Sequence, residues 1–165
     1  MRHLVRKLTP ALLVLTGIVA VATSVRALQS QPAPAGAAQK LIVYGDLALF
    51  QPPGHPDNCI LRNRFKRGEP VGFRMFVADP QTAQRDESAE LVVHLDYAGK
   101  TVDLPMRYRA TAQQPERQFW VVKWVVPADT PVGIIRYTVS AKDKSGRTGE
   151  LKPFEVQASQ LTIVE

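Results

Sequence analysis

The sequence predicts an all-β domain of seven or eight short strands, arranged as two sheets packed face to face. Three observations lead there. At least four runs alternate apolar and polar side chains with a period of two, the pattern of a strand with one buried face. Thirteen prolines and ten glycines interrupt the chain, too many for a helical bundle but suited to short strands joined by turns. No stretch beyond residue 40 has the three-to-four spacing of an amphipathic helix; residues 81–89 allow one turn at most. A strand that is apolar on one side must bury that side, and a second sheet supplies the cover.

The chain opens on a basic stretch with Arg2, Arg6 and Lys7, followed over residues 8–25 by 18 uncharged residues. Val25, Arg26 and Ala27 then form a small-x-small site. This layout predicts a secretory signal peptide over residues 1–27, cleaved after Ala27. The alternative is an uncleaved helix anchoring the protein in the inner membrane, because that length approaches a membrane span. In either case the domain is expected outside the cytoplasm, periplasmic or secreted, and the membrane is reached only through an uncleaved N-terminal segment. Residues 28–39 are small, polar and proline-containing, and read as a flexible linker to a domain over residues 40–165. The export segment also explains the charge. Of the net +6, the first 26 residues supply four cations and no acid, which leaves 17 basic against 15 acidic side chains and a balance of +2. That balance gives no electrostatic ground for a nucleic-acid partner.

The strands follow in order. Residues 41–50 form the first, and residues 51–70 a long proline-rich loop. Residues 71–78 put Phe73, Met75 and Val77 on one face and Arg74 and Phe76 on the other; Asp79 and Pro80 end the run. Residues 91–97 set Leu91, Val93, Leu95 and Tyr97 against Val92, His94 and Asp96. Ala98, Gly99 and Lys100 turn the chain into a strand over 101–109. Residues 118–126 align Trp120, Val122, Trp124 and Val126. Residues 132–141 align Ile135, Tyr137, Val139 and Ala141, with Ile134, Arg136, Thr138 and Ser140 opposite. Residues 142–146 make a hairpin-like turn, and residues 150–156 and 160–164 end the chain as one bulged strand. The chain has one cysteine, Cys59, so no internal disulfide can form and stability must come from the core.

Several of these residues together resemble bacterial immunoglobulin-like and fibronectin type III-like modules. Arg67, Gly68, Glu69, Pro70 and Val71 precede a strand. Trp124, Pro127, Asp129, Pro131 and Gly133 lead into Ile135 and Tyr137. Val139, Ala141, Asp143, Gly146 and Thr148 then form a strand and its turn. The pattern is similar to the last three strands of such sandwiches. Its physical sense is that Pro127 and Pro131 stop the ladder, Gly133 permits a corner, and Ser145 and Gly146 supply a left-handed turn position. The resemblance covers about half the chain and implies an immunoglobulin-like sandwich. It implies no particular role, because this fold hosts many. The inter-sheet cysteine pair of antibody-like members is absent.

Candidate sites lie in the connecting loops and on the outward strand faces. The loop over residues 51–59 holds His55, Asp57 and Cys59. An imidazole and a thiolate suit copper or zinc, and a cysteine–histidine pair can also serve haem iron. Two strong ligands and one weak one do not close a site, and no CxxC or HxxxH spacing supports them; His94 would have to join from a strand. The plainer expectation is that Cys59 packs under the loop with Ile60 and Leu61 while His55 is solvated. An intermolecular disulfide through Cys59 is a third possibility. Arg62, Arg64, Lys66 and Arg67 form a basic cluster that could dock an acidic partner, anionic headgroups or cell-wall polymer, or could simply be a solvated loop exit. Phe119, Val121 and Val125 share a face with Lys123, opposite the tryptophans. With Arg74 and Phe76 from a neighbouring strand they would make an outward apolar patch for docking, unless loops cover it. No Gly-x-Ser-x-Gly, phosphate loop or His-Glu-x-x-His is present. The expectation is therefore a non-enzymatic, exported binding or accessory module acting on an envelope protein or glycan, without a cofactor. The alternative is a small metal-binding or electron-transfer-complex subunit using His55 and Cys59.

Overall fold

The computed structural model describes residues 39–165. The expected signal or anchor helix, and the linker up to residue 38, lie outside the described residues. Among the described residues no helix is long and apolar enough to cross a membrane.

Among the described residues ten strands follow one another: β1 (Ile42–Leu49), β2 (Arg64–Lys66), β3 (Pro70–Ala78), β4 (Glu90–Tyr97) and β5 (Lys100–Pro105), then β6 (Arg107–Arg109), β7 (Phe119–Val125), β8 (Gly133–Lys142), β9 (Thr148–Leu151) and β10 (Leu161–Val164). They form two sheets. The first has the order β1-β3-β7-β6 and is antiparallel throughout. The second has the order β2-β10-β8-β4-β5, with β9 also against β8; only the β2–β10 pair is parallel. One buried cluster draws on both sheets. Phe73, Met75, Trp120 and Trp124 enter it from the first, and Phe65, Leu91, Val93, Leu95, Ile135 and Ile163 from the second. The described residues are thus all-β, with two sheets around a shared core, compatible with a β-sandwich. The Trp120 indole N–H, taken out of water, donates to the Ala89 carbonyl at 3.0 Å, as a buried donor must.

Two departures raise the strand number from the expected seven or eight to ten. Residues 101–109 are not one strand. β5 ends at Pro105, the Met106 N–H makes a last bond to β4 at the Leu91 carbonyl, 2.9 Å, and the chain then crosses to β7 as β6. The 51–70 segment is not wholly loop either. Its exit forms β2 around Phe65, which is fully buried, and Leu61 bridges Ala48. A single apolar residue between Arg64 and Lys66 is too little alternation to announce a strand. At the C-terminus, β9 and β10 lie on the same edge of β8, interrupted by residues 152–160, which leave the sheet. Gly133 and Gly146 have φ of 126° and 87°, so both positions expected to need glycine do.

Candidate functional site

The outward face of the first sheet carries the candidate site. Trp120 and Trp124 point into the core, so Phe119, Val121, Lys123 and Val125 of β7 point away from it. Register places Asp46 beside Arg74, Arg74 beside Val121, and Val121 beside Arg107. The next row along holds Tyr44, Phe76, Phe119 and Arg109. The Tyr44 and Phe76 rings stack with centroids 5.1 Å apart, and Phe76 meets Phe119 at 5.7 Å. The guanidiniums of Arg109 and Arg74 lie 5.9 and 6.0 Å from the Phe119 centroid. Phe119 therefore faces outward yet keeps only 8% of its surface exposed; its neighbours cover it. Arg74 is also held by a two-point bond to Asp46, at 2.6 and 2.9 Å, which fixes the guanidinium plane.

The proline-rich loop walls this face on one side. The Phe50 ring sits on Gly72, where a Cβ would overlap it. The Phe50 N–H donates to the Pro70 carbonyl at 3.0 Å, and the Cys59 N–H to the Leu49 carbonyl at 2.7 Å. These bonds tie both ends of the loop to the sheet. The result is an open groove of about 890 Å³, with Pro52, Pro53 and Cys59 on the loop side, Arg107 and Arg109 on the β6 side, and Val121 and Val125 between. No Asp or Glu lines it, whereas Arg107, Arg109 and Lys123 do. Among the described residues none of these three cations lies within ion-pair distance of a carboxylate.

The sequence-predicted residues fall into two sets. Val121, Val125 and Cys59 line the groove, joining the apolar patch and the unusual loop in one place; Phe119 lines it too, and Arg74 and Phe76 flank it. The basic cluster does not join them. Arg62 is committed to Glu69 by a two-point bond, and Arg67 donates to the Thr130 carbonyl at 2.8 Å. Arg64 and Lys66 stay exposed on β2, in the other sheet. His94 is also in the other sheet, between Asp103 at 2.7 Å and Ser140 at 2.8 Å, and does not line the groove. Cys59 departs from the plainer expectation: it is exposed, as are Ile60 and Leu61, and its φ is 64°. The left-handed backbone that lets its amide reach Leu49 turns the thiol outward. His55 is exposed, and its Nδ1 accepts the Asp57 N–H at 3.1 Å. Among the described residues no three His, Cys, Asp or Glu side chains are grouped to hold a metal.

Arg107 and Arg109 were missed by the sequence reading, though their alternation around Tyr108 is a signal that could have found them. A second concavity, about 580 Å³, opens between β1 and residues 152–160. Tyr137 borders it, its hydroxyl pushed up to about 12 by burial and by the Asp46 carboxylate. Of the predicted site residues only Arg62 reaches this space.

Compared with protein-family models and with curated proteins, the chain has no match.

Proposed function

We propose that the chain is an exported, non-catalytic binding or accessory module built on an immunoglobulin-like sandwich. It engages an envelope protein or glycan through the walled groove on its four-stranded sheet. Support for the architecture comes from strand order. If β1, β3, β4, β6, β7 and β8 are strands A to F, the first sheet reads A-B-E-D, the order of immunoglobulin constant-type sandwiches. In the second sheet β4, β8 and the β9–β10 edge then read C-F-G.

The observation that carries the role is the groove itself: an aliphatic floor, a prolyl wall and three cations with no carboxylate among the lining residues. Exposed apolar surface within a polar rim is the usual make-up of a docking site. The test is elution from the native envelope. Val121→Glu together with Val125→Glu, placed at the floor, should move the protein out of any larger assembly, while His94→Ala on the other sheet should leave it there. Equal elution of the two variants contradicts the proposal. So does copper, zinc or haem bound in stoichiometric amount and lost in Cys59→Ser, which would make this a metal or electron-transfer protein instead.

A further inference from the structure

We propose that the occupant of the groove is an extended acidic peptide segment of a partner protein, with carboxylates alternating with apolar side chains. The inference rests on the groove being the docking surface and adds the chemistry of what docks. Charge complementarity is its first ground. Arg107, Arg109 and Lys123 face the space and no acid lines it, so an anionic occupant meets attraction without a like charge opposing it. The spacing is that of a strand. Arg107 and Arg109 stand two residues apart on one face of β6, about 7 Å along the chain. An extended peptide repeats its side chains at the same interval, so successive carboxylates on one of its rows can each meet a guanidinium at the rim.

The lining decides between a peptide and the other anions an envelope offers. Of the two aromatic rings in the lining, Phe119 is covered by Phe76 and two guanidiniums and Phe50 lies against Gly72, so neither is a free platform for a sugar, and a neutral sugar would leave the three cations unmatched. What remains available at the floor is aliphatic, Val121 and Val125, with Pro52 and Pro70 beside it. Such a floor takes the second row of side chains of an extended peptide. An anionic bilayer is flat and would meet the exposed rim cations without filling the aliphatic floor beside them. β6 is also the last strand of its sheet, which places Arg107 and Arg109 at the sheet's border, where an arriving chain meets them first.

The test is a titration of the protein, purified from the envelope, with a fluorescein-labelled peptide alternating glutamate and leucine. The comparison probes are the same peptide with glutamine for glutamate, a polyuronate, and vesicles rich in anionic lipid. The acidic peptide should bind in a salt-sensitive way, at least about tenfold more tightly than its glutamine analogue. Arg107→Glu combined with Arg109→Glu should abolish that preference, and Lys123→Glu alone should reduce it. Both sets of residues are exposed, and an unchanged circular dichroism spectrum checks the fold. If polyuronate or vesicles bind more tightly than the peptide and the double reversal removes that binding, the groove stands and the peptide chemistry falls. If no probe responds to the double reversal, both the groove and its proposed occupant fall.

Discussion

Arg147 ties the turn between β8 and β9 to the connection between β3 and β4. Its guanidinium bonds Asp143 at 2.6 Å, Asp86 at 2.8 Å, and also Asp79. Burial pushes the Asp143 carboxyl up, but hydrogen bonds from Arg147 and Ser145 outweigh it and hold the group at about 2. Asp79 is lowered as well, first by Arg147 and then by the backbone amides of Thr82 and Gln81. Both carboxyls are depressed by folding, so their contribution is fully present above the unfolded value of about 4. It is lost as pH falls through their depressed folded values, about 2 for Asp143. Arg147→Gln leaves three carboxylates facing one another, and the acid-unfolding midpoint should move to higher pH. Tryptophan fluorescence across an acid titration measures it; an unmoved midpoint contradicts this account of the cluster. The sequence made the turn at Asp143 and Gly146 legible but not the clamp, because Asp86 and Asp79 lie 61 and 68 residues away from Arg147.

At the scale of elements, the hairpin joining β4 to β5 is tight and strained at one position. Tyr97 pairs with Lys100, leaving a two-residue turn in which Ala98 has φ of 49° and Gly99 of 71°. Two consecutive positive φ angles favour Asn-Gly, whose twist matches the strands. Ala98 carries a Cβ in a conformation that disfavours it. Ala98→Asn should therefore raise stability by about 0.5–1 kcal/mol, read as a higher urea midpoint at constant slope. The longer strands were legible: β1, and the alternating β3, β4, β7 and β8, lie within a residue or two of where the sequence put them. The short elements were not. β2 is one buried phenylalanine between two cations, and β6 is cut from β5 by a change of sheet. A sheet change leaves the alternation of residues 101–109 intact while altering the partner.

On the scale of the whole molecule, the two sheets follow from one-sided strands that had to bury their apolar rows. The candidate site follows from what remained outside. Residue pattern alone indicated that Phe119, Val121 and Val125 would face away from the tryptophans, and that the Cys59 loop was unusual. It did not indicate that the two meet, because the loop's return over β3 is set by Phe50 seated on Gly72 and by long-range backbone bonds. Nor did it separate Arg107, Arg109 and Lys123, which face the groove, from Arg62 and Arg67, which are consumed in local bonds. A basic cluster in sequence is not a basic surface; partners decide which cations are available.

The claim that the outer face of the four-stranded sheet is the working surface can be tested by a photo-crosslinking residue placed singly at two exposed sites of the protein in its native cell. One site is Val125, half exposed at the groove floor; the other is Ile134, on β8 in the opposite sheet. The account predicts a discrete crosslinked partner from position 125, lost when Arg107→Glu and Arg109→Glu are added, and none from position 134. A partner captured from position 134 alone would contradict it.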